Sequence, residues 1–297
     1  MCYTRWEVLS KGVIHLPRTC LILDCFSLVY RAFYGLPITI KRQDGQNINA
    51  VLGFYNTMTG LMDQFRPDFL FVASDHPSPT FRHQLFPEYK AQRPPMPEEL
   101  RSQISLIEEV IHSLGAPLVK LAGYEADDII GTISKHAPGG THCYIVTTDH
   151  DALQLVSENV TVIAPNSRAN KVFTPDLVQH EMGVSPQLVP DLKALMGDAS
   201  DNIPGIPLVG PKTAKRWLAA YGSLEGVIEH AHLLPGKAGQ NMAEREEEAL
   251  LYKYLATIAQ DVPTLPCWKA GRLAFDERQV RQTLDAIGIR ASIPQVV

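Results

Sequence analysis

An α/β fold with a mostly parallel sheet, followed by an all-helical domain, is predicted by three features of the 297-residue chain. Short apolar runs alternate with helical patterns through the first part, which is the pattern of βαβ units. From about residue 184 the strand-like runs disappear and only helical stretches follow. Length alone favours about two domains at roughly 150 residues each. The predicted boundaries are therefore 1–183 for the α/β domain and 184–297 for the helical one.

The elements follow in order. Strands are expected over 21–23, 69–73, 117–119, 144–147 and 160–163, all short and apolar, as in strands covered on both faces. Between them, helical patterns occupy 47–64, 98–113, 125–136 and 151–156. The downstream helices are expected over 186–196, 211–221, 224–231, 241–259 and 277–287. The acidic run from Glu244 to Glu248 reads as a solvated helix face.

Composition narrows the class. With 45% apolar and 20% charged residues, the chain is neither disordered nor fibrous. Its longest clean apolar run, near 69–73, is far below the ~20 residues that span a bilayer, so no membrane partner is expected. The first 18 residues carry Arg5, Glu7, Lys11 and His15 without an apolar centre, unlike a secretory signal. Cys2, Cys20, Cys25, Cys143 and Cys267 are odd in number and lack C-x-x-C spacing. That argues against a disulfide framework or a zinc site and favours a reducing cytoplasm.

The acids are placed more tellingly than they are counted. Predicted strands run directly into Asp24, Asp75 and Asp149, the last followed by Asp151. The strand near 117–120 is followed by Glu125, Asp127 and Asp128 at a helix start. In an open parallel sheet, ligands bind beyond the carboxyl ends of the strands. The plain alternative is helix capping, together with acids favouring the helix dipole. Capping accounts for Asp24 or Asp75 singly, and for one or two of Glu125, Asp127 and Asp128, but not for three. Clustered carboxylates repel unless cations neutralise them, so these acids point to a divalent-metal site. Without His or Cys at ligand spacing, Mg²⁺ or Mn²⁺ is preferred to zinc. Asp198 and Asp201 sit three apart at the domain junction, where a turn and cap would also explain them.

The net charge of -5, from 27 bases and 32 acids, argues weakly against a nucleic-acid partner. Without those nine acids the rest of the chain carries about +4, which suits a polyanionic substrate around an acidic centre.

Two further segments carry candidate contacts. Between Asp75 and Glu98, Arg82, Lys90 and Arg93 interleave with Phe81, Phe86 and Tyr89. Charge can track phosphates while rings stack bases, although an amphipathic loop packed on the core is the alternative. Pro94 and Pro95 argue for irregular backbone there. The turn over 203–214 contains Gly205 and Gly210, then Pro211 as a first helical residue, Lys212 and Thr213. Free N–H groups at such a helix start can bind phosphate, though a plain interhelical turn would look similar. This is not a Walker loop, because it has an extra residue before the lysine and no preceding strand.

The motifs occur in a specific order. They are Asp24, Tyr30-Arg31-Ala32-Phe33, Phe81-Arg82, Tyr89-Lys90, Glu125-Ala126-Asp127-Asp128, Asp149-x-Asp151, and Gly197-Asp198-x-Ser200-Asp201-Asn202-Ile203-Pro204-Gly205. From about Leu21 to about residue 290, the sequence resembles the bacterial 5′–3′ exonuclease and flap endonuclease family, which includes the N-terminal 5′-nuclease domains of DNA polymerase I. The resemblance implies a Rossmann-like (PIN-like) nuclease domain, a helical arch over about 76–100, and a helix–hairpin–helix module with its turn at about 203–214. It implies two or three Mg²⁺ (or Mn²⁺) ions and K⁺ at the hairpin turn. One metal group would be Asp24, Asp75, Glu125, Asp127 and Asp128; the other Asp149, Asp151, Asp198 and Asp201. Lys90 matches the catalytic lysine, with Arg82 and Arg31 beside the scissile phosphate and Tyr89, Arg93 and Phe81 along the 5′ strand. Gly205, Gly210, Lys212 and Thr213 would grip duplex DNA.

The implied activity is hydrolysis of DNA, RNA-primed DNA included, at a 5′ end or 5′ flap during replication and repair. The implied setting is a monomer working with a DNA polymerase at the bacterial nucleoid. The chain departs from the pattern at Cys25, Ser74, Pro77, His150 and Leu208, and its length leaves no room for a polymerase module. The rivals are a PIN-like ribonuclease, which shares an acidic sheet edge, and a DNA-structure-binding protein with weak or lost nuclease activity. The arch and helical domain weigh against the first, and the retained acids and Lys90 against the second.

Overall fold

The structure, a computed structural model, describes residues 18–166 and 168–295. The N-terminal segment weighed above as a signal, with Cys2, lies outside the described residues. A six-stranded sheet has the order β3-β2-β1-β4-β5-β6. The strands are β1 (Arg18–Asp24), β2 (Phe69–Ala73), β3 (Leu118–Val119), β4 (Thr141–Val146), β5 (Val160–Ala164) and β6 (Lys171–Phe173). β1 to β5 pair in parallel and β6 adds an antiparallel edge that the sequence pattern did not predict. Cys20 to Leu23 and Leu70 to Ala73 are buried, as expected of strands covered on both faces. The strand order reverses between β1 and β4, which opens a crevice at their carboxyl ends.

The helices are α1 (Cys25–Gly35), α2 (Asn49–Phe65), α3 (Phe81–Leu85), α4 (Glu98–Arg101), α5 (Ile104–Ser113), α6 (Ala126–Lys135), α7 (Pro175–Met182) and α8 (Val189–Met196). They continue with α9 (Pro211–Tyr221), α10 (Leu224–Glu229), α11 (Gly236–Glu244), α12 (Glu246–Ala256) and α13 (Glu277–Ile287). Residues 150–155 form a 3₁₀ turn rather than an α-helix. α1 was not anticipated, because its aromatic and β-branched residues are weak helix formers. Asp24 starts it by accepting the Ser27 N–H at 3.1 Å.

Two expected helices are broken. The helix predicted over 98–113 divides at Ser102 and Gln103. The buried Gln103 side chain turns away to accept the Ala50 N–H at 2.9 Å and donate to Asn49 at 3.0 Å. It thereby satisfies an N–H at the start of α2. The helix predicted over 241–259 divides at Arg245, whose φ and ψ of -134° and 33° leave the helical region. The expected helical arch is also reduced. Between Ala73 and Glu98 only α3 is helical, and the rest lies as a strap on the cleft.

The last segment returns to the sheet. Val280, Leu284 and Ile287 of α13 join Leu106, Ile107 and Val110 of α5 in one core cluster. The Tyr55 hydroxyl donates to the Ser292 carbonyl at 2.6 Å.

The turn before α9 contains a backbone conflict. Gly205 has φ +71°, and a Cβ there would meet Gly197 N at 2.2 Å, so only glycine fits. Leu208 also has positive φ, 68°, yet its side chain is 71% exposed. It therefore bears left-handed strain with little packing in return. Leu208→Gly is expected to stabilise the protein by about 1 kcal/mol or less, since relief of strain exceeds the entropy that glycine adds to the unfolded chain. Thermal melting checks this, and a lower melting temperature would show that the exposed leucine packs after all.

Candidate metal and nucleic-acid site at the carboxyl edge of the sheet

A cleft of about 1010 Å³ lies where β1, β2 and β4 end. Asp24, Asp75, Glu125, Asp127, Asp149, Asp151 and Asp198 line it. Each acid arrives through a local rule. Asp24 and Asp149 stand at the ends of β1 and β4, where each caps the helical turn that follows. Asp75 follows β2 and accepts the Ala126 N–H at the start of α6, at 2.8 Å. Glu125 and Asp128 form a capping box on that helix. Asp127 lies between them and forms neither ion pair nor hydrogen bond among the described residues.

Hydroxyl contacts bridge the two strand ends at the cleft. The Thr147 hydroxyl donates to Asp24 at 2.7 Å, and Ser27 Oγ and Thr148 Oγ1 lie 2.8 Å apart. These contacts tie the start of α1 to the end of β4.

Asp24, Asp75, Asp127 and Asp149 form no ion pair among the described residues. Burial raises the Asp24 pKa to about 7, even though Thr147 and Ser27 hydrogen bonds oppose the rise. Burial and the nearby Asp149 and Asp24 likewise push Asp127 well above the usual carboxylate range. Such a set needs cations, and it offers only oxygen ligands. The residues therefore fit hard divalent ions. Asp151, Asp198 and Asp201 form a second cluster, each offering a carboxylate oxygen within 4.8 Å of the others. Lys193 of α8 enters that cluster and pairs with both Asp151 and Asp198. Burial works against ionisation of Asp198, but Lys193 outweighs it and holds the carboxyl below its ordinary value.

Lys90 reaches the cleft from the strap. Its Nζ lies 2.9 Å from Glu125 Oε1 and 3.8 Å from Asp201. Its backbone is left-handed, with φ 55°, and its N–H donates to the Asp201 carbonyl at 3.1 Å. A non-glycine residue held this way costs about 1–2 kcal/mol, a strain typical of functional sites. Gln92 and Asn202 side-chain amides further join the strap to the 198–202 turn. Glu125 is held below its ordinary pKa because Lys90 and Arg82 outweigh its burial.

Several expected site residues have different surroundings. Asp128 and Arg82, 0% and 2% exposed, face each other in a bidentate pair at 2.7 and 2.8 Å. Asp128 also accepts the N–H groups of Glu125 and Ala259. Arg82 also donates to the Leu255 and Thr257 carbonyls. With its acceptor positions filled this way, Asp128 ties α6 to Arg82 and to the 259 backbone, and neither it nor Arg82 lines the cleft. Tyr89 is 2% exposed, and its hydroxyl donates to Glu125 and Asp201 at 3.0 and 2.9 Å. It orients these acids, and its ring is outside the cleft lining. Phe81 packs edge-on against Tyr124 and Tyr254, away from the cleft lining.

Arg93 and Arg31 do line the cleft, Arg93 pairing with Asp201 at 2.9 Å and Arg31 held by the Pro165 carbonyl. Asp201 stands just behind the lining, between Arg93, Lys90 and Tyr89. Gly205, Gly210, Lys212 and Thr213 are not in the cleft; they form the separate turn into α9. Sequence reasoning missed Lys193, which carries no local signal. It also missed the wall of Phe26, Tyr30 and Tyr34, whose spacing of four along α1 could have marked one helix face.

Comparisons with known proteins bear on the family and the fold. The model of a 5′-3′ exonuclease N-terminal resolvase-like domain matches residues 19–183, and that of a 5′-3′ exonuclease C-terminal SAM fold matches residues 184–278. DNA polymerase I of Mycobacterium tuberculosis (strain ATCC 25618 / H37Rv) is 40% identical over 277 residues, covering 92% of this chain and 31% of the relative. The chain thus spans under a third of that polymerase. The 5′-3′ exonuclease of Aquifex aeolicus (strain VF5) is 41% identical over 237 residues, 80% of each chain. Among solved structures, T5 5′-exonuclease with bound divalent zinc ions matches with a TM-score of 0.67 at 22% identity, covering 91% of this chain and 98% of that one. The catalytic core of Rad2 in complex with a DNA substrate matches at 0.58 and 12% identity, covering 92% and 88%. The two structural matches show a shared fold.

Proposed function

The chain belongs to the 5′–3′ exonuclease family, and on that premise we propose that it hydrolyses DNA phosphodiesters at a 5′ end or 5′ flap with the help of Mg²⁺ or Mn²⁺. The observation that carries the proposal is the cleft itself: four carboxylates without ion-pair partners among the described residues, at the switch point of a parallel sheet, with Lys90, Arg31 and Arg93 along its walls. Asp24, Asp75, Glu125, Asp127 and Asp149 would hold one ion or more, and Asp151, Asp198 and Asp201 another. Bound there, the ions would activate water and stabilise charge on the attacking and leaving oxygens.

The chain's own groups do the rest. Lys90, fixed by Glu125 and the Asp201 carbonyl, supplies positive charge where the phosphate becomes most negative. Arg31 and Arg93 steer the strand by its phosphates, and Phe26, Tyr30 and Tyr34 offer ring faces to its bases. Lys212 and the first-turn N–H groups of α9 would grip the duplex, with K⁺ at the turn over 203–214. The likeness to DNA polymerase I, of which the chain spans under a third, supports a replication and repair role beside a DNA polymerase.

The test is cleavage of a 5′-flapped DNA duplex and of a single-stranded RNA, with Mg²⁺, with Mn²⁺ and with EDTA. Flap cleavage that needs either ion and stops with EDTA is expected. Undiminished cleavage in EDTA would remove the metal mechanism, and preference for the RNA would favour a PIN-like ribonuclease.

A further inference from the structure

The two acidic groups of the cleft are neutralised in different ways. In the first group Glu125, at its edge, pairs with Lys90 and Arg82, while Asp24, Asp75, Asp127 and Asp149 form no ion pair with any described residue. The second group already contains cations. Lys193 pairs with Asp151 and, at 2.5 Å, with Asp198, while Arg93 and Lys90 face Asp201. Lys193 is only 6% exposed, so its ammonium is enclosed by the same oxygens that would bind an ion. Two cations cannot share that space, because like charges at ion-pair distance repel strongly in a partly buried site.

We propose that Lys193 is a resident counter-ion of the second acidic group and must leave before a divalent cation is held between Asp151 and Asp198. The proposal rests on the metal reading above and adds an order of loading to it. The free protein takes an ion in the first group, and the second group stays closed by its own lysine. Lysine suits this role, being a compact charge on a flexible four-carbon stem. Met182 and Met196 line the cleft with it, and their flexible side chains can repack around a displaced stem. An entering phosphate would give the ammonium a new partner, which couples filling of the second group to arrival of a polyanion.

The test is Mn²⁺ binding to the DNA-free protein, read from the electron paramagnetic resonance signal of free Mn²⁺, for the natural sequence and for Lys193→Met. The natural sequence is expected to bind one ion tightly and the second at least about tenfold more weakly, and Lys193→Met to tighten the second by about tenfold or more. Lys193→Arg, which keeps the charge, should retain the weak second ion. Two equally tight ions in the natural sequence would overturn the proposal, as would an unchanged second affinity in Lys193→Met. Should Lys193→Met not fold, ¹⁵N resonances of the lysine ammonium groups in the natural protein decide. The Lys193 signal should move with the second equivalent of Mg²⁺ and not the first, and the reverse order refutes the inference. If neither protein bound Mn²⁺, the metal reading itself would fall and the proposal with it.

Discussion

Asp127→Asn is expected to lower flap cleavage by about a thousandfold or more, because it removes one of the four carboxylates of the first group that have no ion-pair partner among the described residues. The same change should leave the metal-free protein at least as stable as before. Asp127 forms no ion pair or hydrogen bond among the described residues, and burial, Asp149 and Asp24 raise its pKa on folding. A carboxyl whose pKa is raised in the folded state costs stability once the pH exceeds its unfolded value. At neutral pH the neutral amide therefore relieves repulsion instead of breaking a contact. Single-turnover cleavage and thermal melting in EDTA check both halves. A wild-type rate would remove Asp127 from the site, and a clear drop in melting temperature would show that it has a structural partner.

Asp128→Asn, one residue away, is expected to do the opposite. Its carboxylate is fully buried and receives two Arg82 N–H groups together with the backbone N–H groups of Glu125 and Ala259. The amide preserves the size but removes the bidentate counter-charge of the buried Arg82 guanidinium, leaving it only Glu125 at 3.4 Å. Breaking a buried pair from one side costs about 3–5 kcal/mol. In a chain of this size that lowers the melting temperature by roughly 10 °C. Activity at low temperature should fall less than in Asp127→Asn, through loosening of α3, α6 and the end of α12, which this pair joins. Replacing both partners with apolar residues should recover part of the lost stability, because no charge is then left unpaired. Unchanged melting in Asp128→Asn, with activity abolished, would return Asp128 to the metal site.

The contrast between these neighbours shows where sequence reading stops. Glu125, Asp127 and Asp128 look alike as a cluster, and helix capping was expected to absorb one or two of them. Which ones it absorbs depends on Arg82, 46 residues earlier in the chain, and on the Ala259 N–H, 131 residues later. Tyr89 and Phe81 likewise look like base-stacking rings in a loop, but their places were decided by Glu125, Asp201, Tyr124 and Tyr254. Lys193 could not be read at all, since a lysine on a short helix normally points to water.

By itself the sequence determined the alternating α/β pattern, the acids at the strand ends and the oxygen-only donor set. These are local matters: strand period and apolar runs set the sheet, and the residue after each strand falls on its carboxyl edge whatever else happens. Only the tertiary structure decided which carboxylates remain unpaired, which are consumed in ties such as Arg82–Asp128, and which carry an internal counter-ion. That decision depends on charges brought together from distant parts of the chain, where burial makes each pairing strong and each unpaired charge costly.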